Sequence, residues 1–204
     1  MKNKSLCFSA LALGAVIALS SCAADQGQQA GTSSKSHGTE HQMTAPSESA
    51  FGAANEADMD FASGMKAHHE QALSMSSDLL GKNQIPAEVR KLAEQIKSAQ
   101  APEIELMETW LAQWGMPQTM DHQSMDHGEG MISPEDIALL EKADGPEAAK
   151  LFLEQMIRHH EGAVQMAKTE IADGSYPEAI KLSQGIVESQ NQEIRQMNDL
   201  LKAL

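Results

Sequence analysis

The sequence predicts an all-α protein whose folded part is a four-helix bundle built from two tandem αα-hairpin repeats. Three observations predict it. From Asp58 onward, apolar residues recur with the helical period. Only 3% of residues are aromatic while Met is abundant, at 13, so the core must be made of Leu, Ile, Ala and Met, which suits helices better than strands. A long set of residues also returns at a fixed interval. Phe61, Met65, His68, His69, Glu70, Ala72 and Met75 recur 91 residues later as Phe152, Met156, His159, His160, Glu161, Ala163 and Met166. Leu92, Ile96, Gln100, Glu103, Ile104 and Met107 recur 90 residues later as Leu182, Ile186, Gln190, Glu193, Ile194 and Met197.

The elements follow in order. A first helix is expected over about Asp58 to Leu80, stopped by Gly81. A second runs about Ala87 to Trp114, after Pro86 and before Gly115, with Pro102 inside it and a kink expected near residues 98 to 102. A polar segment covers 115–132. Ser133-Pro134-Glu135-Asp136 then starts a short helix, with Ser133 as N-cap and Pro134 at the first helical position. A third long helix spans about Pro146 to Ala172, and a fourth about Pro177 to Ala203. The bundle domain is thus 57–204, with repeats at about 58–114 and 146–203. The connector is long enough for the crossover found in ferritin-like bundles.

The first residues bear on compartment. Lys2 and Lys4 precede an apolar stretch, Leu6 to Leu19, that is too short to span a bilayer comfortably. Leu19-Ser20-Ser21-Cys22 resembles the bacterial lipobox. That resemblance implies a signal peptide at 1–21, lipid on Cys22, and a protein held in the cell envelope, facing the periplasm or exterior, with the lipid anchor as its only membrane contact. Residues 22–56 then form a Ser-, Gly- and Gln-rich tether with a reach on the order of 30 Å. Of the two Cys, Cys7 leaves with the signal and Cys22 is consumed by the lipid, so no thiol remains for a metal or a disulfide. The formal charge of −14 argues against nucleic acid, since no basic surface is present to neutralise phosphates.

Successive helical residues are about 100° apart. On the first helix Phe61, Met65, Ala72, Met75 and Leu79 share one stripe, and His68 and His69 straddle it, while Glu70 points to solvent. On the second, Gln100 lies within the apolar stripe and Glu103 at its edge. His159, His160, Gln190 and Glu193 repeat the pattern. Buried polar groups need partners. One explanation is a hydrogen-bond network that holds the helices in register. The other is metal ligation, with one His of each pair binding an ion while its neighbour bonds a carboxylate. The sequence does not say which His does which. Met65 and Met156, one turn before a His, are candidate ligands. Gln100, Glu103, Gln190, Glu193, Met75, Met107, Met166 and Met197 are supporting or alternative ones.

The connector carries Met116, Met120, His122, Met125, His127 and Met131 in an otherwise polar setting. Met in a solvated loop has no core to fill. Thioether with imidazole selects soft ions, so Cu(I) is favoured, with Ag(I) and Cu(II) as further candidates. No nucleophile elbow, phosphate loop or Cys motif points to catalysis. A dinuclear iron or manganese oxidase would want Glu-x-x-His, yet Leu106 and Gln196 stand three residues after Glu103 and Glu193. A metal-free envelope interaction module is the remaining alternative.

Phe61…Met65…His68-His69…Ala72…Met75, then Gln100…Glu103-Ile104…Met107…Trp110-Leu111…Trp114-Gly115, and Phe152-Leu153-Glu154-Gln155-Met156-Ile157-Arg158-His159-His160-Glu161-Gly162-Ala163 resemble a bacterial family catalogued as domain of unknown function 305, over about Asp58 to Leu201. The resemblance implies a ferritin-like fold and periplasmic copper binding through Met and His, for buffering, tolerance or delivery to an unidentified acceptor protein. It points to His68, His69, His159, His160 and the nearby Met residues. The chain departs from the pattern at Ala149, where an Asp matching Asp58 is expected.

Overall fold

Helix α1 (Glu56–Gly81) begins two residues before the apolar periodicity does, because Asn55 and Asp58 close a capping box. The Asp58 N–H donates to Asn55 Oδ1 at 3.0 Å, and the Asn55 N–H donates to Asp58 Oδ2 at 2.6 Å. At its other end, Arg90 donates to the Leu80 and Lys82 carbonyls at 2.8 and 2.9 Å, satisfying acceptors the helix leaves open. Arg90 belongs to α2 (Ala87–Gln113), which continues through Pro102. Helix α3 (Pro134–Lys142) is capped by Ser133, which accepts from the Asp136 N–H at 3.1 Å, as the sequence predicts. Helices α4 (Gly145–Asp173) and α5 (Pro177–Ala203) complete the chain. This computed structural model describes residues 54–116 and 130–204. The expected signal peptide at 1–21, Cys22, the expected tether up to residue 53 and connector residues 117–129 lie outside the described residues.

Among the described residues there are five helices and no strand, and no helix is long and apolar enough to cross a membrane. Helix α1 packs on α2, α4 packs on α5, and α1 packs on α4, while short α3 lies against α4 and α1. Helices α1 and α4 run antiparallel. Asn55 and Asp58 at the start of α1 bond Asp173 at the end of α4 and Ser175 and Tyr176 just after it, and Gln84 after α1 meets Gly145 at the start of α4. The two hairpins are therefore related by a pseudo-twofold axis across the α1–α4 contact, as the repeat implies.

The core is divided in two. One cluster contains Leu79, Val89, Leu92, Ile96, Leu140, Phe152, Leu153, Met156 and Met197. The other contains Phe61, Met65, Met107, Trp110, Tyr176 and Ile186. Trp114 joins the second, with its ring centroid 6.1 Å from Trp110 and 5.2 Å from Tyr176.

At the Trp end, Asp58 is fully buried and accepts from the Ser175 and Tyr176 N–H groups at 3.1 and 2.8 Å and from the Ser175 hydroxyl at 3.0 Å. Buried Glu170 lies against it, and neither Glu170 oxygen receives a donated hydrogen bond. Two carboxyls can bond each other only if one keeps its proton. Burial, then Asp58, pushes Glu170 up to about 8. Burial alone would raise Asp58 as well, but the Asn55 and Tyr176 N–H groups, the Glu170 carboxyl and Ser175 outweigh it, and its pKa falls below 3.8. A Cβ on Gly174 would strike the Glu170 carboxylate, so this turn has to be glycine. The repeat positions matching Asp58 and Glu170 are Ala149 and Leu79, both in the apolar cluster at the opposite end. The missing Asp at 149 therefore leaves a hydrophobic contact where the other end has a carboxyl pair.

A carboxyl with a raised folded pKa helps the folded state at low pH and loses that help as pH rises. The unfolded chain ionises Glu170 near 4.5 and the folded one only near 8, so stability should decline across that window. In Glu170→Gln the amide donates to Asp58 without titrating. Thermal melts should show a flatter pH profile from 5 to 8 and a Tm roughly 3–10 °C higher than the parent at pH 8.5.

Candidate metal site

His68 lies halfway along α1 and His159 halfway along α4, so the antiparallel crossing brings them together. Their ring centroids are 3.5 Å apart at an interplanar angle of 36°, and their exposures are 1% and 0%. His69 and His160 turn outward to the hairpin partners. His69 Nε2 is 2.7 Å from Glu103 Oε2, and His160 Nε2 is 2.7 Å from Glu193 Oε2. The division of labour that the sequence left open is thus the same in both halves, with one His on the axis and its neighbour on a carboxylate. Those carboxylates come from α2 and α5, so each imidazole also ties its hairpin together.

Both ring nitrogens of His68 and His159 lack hydrogen-bond partners, as do Nδ1 of His69 and of His160, both amide atoms of Gln100, and Oε1 of Gln190. His159 leans toward the His68 backbone without closing a hydrogen bond. Native interiors leave few such groups unmatched, and each costs about 1–3 kcal/mol. Burial, then the adjacent His69 and His160, lowers His68 to about 3. Burial and the surrounding His68, His160 and His69 hold His159 well below 6.5. Both axial imidazoles are therefore neutral at pH 7, each with an open lone pair. Met65 and Met156, one turn away, are fully buried.

The donor set is soft. Among the described residues no group of three His, Cys, Asp or Glu side chains gathers as a ligand cage. Two imidazoles with a Met one turn away along each helix suit a monovalent soft ion. The two axial rings are in contact, so an ion shared by them must part them.

The other predicted residues are dispersed. Gln100 and Gln190 are buried with the His layer, and Glu103 and Glu193 are partly exposed on their imidazoles. Met75, Met107 and Met197 are buried core, and Met166 packs over Gly64 with its sulfur 3.7 Å from a Cβ built there. Glu70 is exposed and pairs with Lys66 at 2.7 Å. Met116, half-buried, follows the end of α2, with its N–H on the Leu111 carbonyl. Met131 is half-buried before α3. Met120, His122, Met125 and His127 lie outside the described residues.

One participant was missed. Gln71, a turn beyond His68, grips the end of the connector. Its Nε2 donates to the Ile132 carbonyl at 3.0 Å, and the Ile132 N–H donates to its Oε1 at 2.9 Å. The signal was present as a break in the repeat, since the position matching Gln71 is Gly162. Gly130, with φ +96, lies on Gly162 so closely that a Cβ would come 2.6 Å from the Gly162 Cα.

Residues 58–201 match the family described as Domain of unknown function (DUF305). No curated protein matches the sequence. Among solved structures, the DUF305 protein of Streptomyces coelicolor, described as secreted, is 35% identical, with 72% of this chain and 93% of that one covered at a TM-score of 0.67. A DUF305 fragment from Deinococcus radiodurans is also 35% identical, with 74% and 99% covered and a TM-score of 0.67. CopM in its Cu(I)-bound form is 33% identical, with 72% and 96% covered and a TM-score of 0.60, and CopM is also solved with Cu(II) and with Ag.

Removing one carboxylate partner leaves a buried imidazole without its bond. Glu103→Ala and Glu193→Ala should each lower unfolding free energy by about 1–3 kcal/mol in urea titrations. Equal losses are expected because the two bonds occupy matching positions.

Proposed function

The chain belongs to the DUF305 family, and on that premise we propose that it is an envelope metal-binding protein holding Cu(I), or Ag(I) by the same softness, for buffering, tolerance or delivery. The observation that carries this reading is the pair of neutral, buried imidazoles of His68 and His159, whose four ring nitrogens have no partner within the fold. Leaving such groups unmatched costs stability, and a bound soft ion would recover it. The relatives that bind copper and silver support the choice of ion. Met65 and Met156 supply thioethers a turn from the pair, and the connector residues Met116, Met120, His122, Met125, His127 and Met131 would form a second set of the same donors. Thioethers and imidazoles suit a thiol-free mature chain in an oxidising compartment.

His69 and His160 would orient the site through their carboxylates rather than bind the ion themselves. The reading also takes the protein to be lipid-anchored through Cys22 and to hold its ion without transforming it. The dinuclear oxidase alternative has little support, because Glu103 and Glu193 are engaged by His69 and His160.

Purified protein should retain Cu(I) against a chromogenic competitor under reducing conditions. His68→Leu with His159→Leu should weaken the tighter class of sites at least about tenfold, while apo-protein stability stays level or rises, since the lost nitrogens had no partners. Met→Leu at 116, 120, 125 and 131 should weaken only the looser class. A double His variant that melts markedly lower and binds Cu(I) as before would assign the pair to structure and overturn the reading.

A further inference from the structure

The two axial histidines are almost completely buried, so any ion that reaches them must displace part of the fold. Helices α1, α2, α4 and α5 are poor candidates for that displacement. Moving one shifts the two apolar clusters it joins.

The segment that crosses the pseudo-twofold axis is held more lightly, with Ile132 its one side chain in an apolar cluster. Positions 71 and 162 are equivalent in the two repeats, and each lies three residues beyond its axial histidine. Because α1 and α4 are antiparallel, these positions flank the His68–His159 contact diagonally on one face. The segment Gly130–Ile132 joins them. Gly130 rests on the Gly162 backbone, with the His159 carbonyl 3.0 Å from where its Cβ would be, and Ile132 is clasped by Gln71 through both its N–H and its carbonyl. Met131 lies between the two anchor points. The segment is not helical, and the hydrogen bonds described for it are the two from one half-buried side chain.

We propose that Gly130–Ile132 is the port of the axial histidine site and that Gln71 is its latch, setting how fast a soft monovalent ion enters and leaves without setting how tightly it is held. This rests on the metal-binding reading above. The break in the repeat acquires a purpose. Gly162 offers bare backbone on which the segment can lie, and Gln71 offers an amide that imitates a neighbouring peptide. A symmetric pair would lack one or the other. Opening the port carries the Met131 thioether away from the bundle with it, so a donor that binds soft ions moves with the cover.

The test uses the full chain and Gln71→Ala, with Gly130→Ala as a second variant that dislodges the segment by crowding Gly162 at an unfavourable φ. Cu(I) release to excess chelator and Cu(I) capture are followed by stopped flow. Diethyl pyrocarbonate labelling of His68 and His159 in the metal-free protein is followed by peptide mass spectrometry. Loss of the two clasping bonds should speed release and capture by about tenfold while leaving Kd within a few-fold, and should speed labelling similarly. Faster labelling in variants of a protein that binds no Cu(I) would uphold the port and overturn the metal reading. Unchanged exchange and labelling in both variants, with circular dichroism intact, would overturn the port.

Discussion

Everything in this fold is arranged about the tilted ring contact of His68 and His159. Two apolar clusters lie on either side of it, and the polar layer of His, Gln and Glu side chains runs between them. A bundle with Leu at those two positions would have one continuous core. Dividing the core with unmatched imidazoles costs stability, and duplicated sequence retains that cost in both halves. The hairpins compensate locally, since each outer histidine secures its own helix pair through a carboxylate. The axial pair can thus stay uncommitted without the helices losing register.

Symmetry is kept where the ion-binding reading needs it and dropped elsewhere. The axial histidines, their neighbours and the carboxylates match position for position. The bundle ends do not. Asp58 and Glu170 are buried together at one end, where Ala149 and Leu79 sit in apolar packing at the other. The carboxyl pair joins the start of α1 to the turn between α4 and α5, a junction that spans the two repeats. The opposite end is closed by apolar packing and by Lys82, which donates to the Glu141 carbonyl at 2.8 Å. A duplicated chain needs only one such specific junction to fix how its halves dock.

The helices, their stops and the repeat were legible in the sequence because periodicity and spacing are local properties. Helix α1 starts two residues ahead of its apolar pattern because Asn55 and Asp58 act through side-chain oxygens that carry no apolar signal. The histidine layer could be recognised, but its partition could not. Which of two adjacent imidazoles faces the axis depends on how α1 crosses α4, and that crossing is set by contacts far apart in sequence. Gln71 escaped notice for a related reason. A glutamine on a helix surface is ordinary until the backbone it clasps, 61 residues later, is in place. The Ala149 departure was visible, but its counterpart Leu79 gained meaning only once Glu170 was seen against Asp58.

The aromatic side chains have an uneven distribution with practical weight. The two tryptophans and the single tyrosine of the chain all meet at one end, in the cluster beside Asp58. Tryptophan emission is therefore blind to the half of the molecule built on Phe152 and Leu92. An optical transition reports fraying at the α4–α5 turn, and its disagreement with a backbone signal would show that the two ends come apart separately.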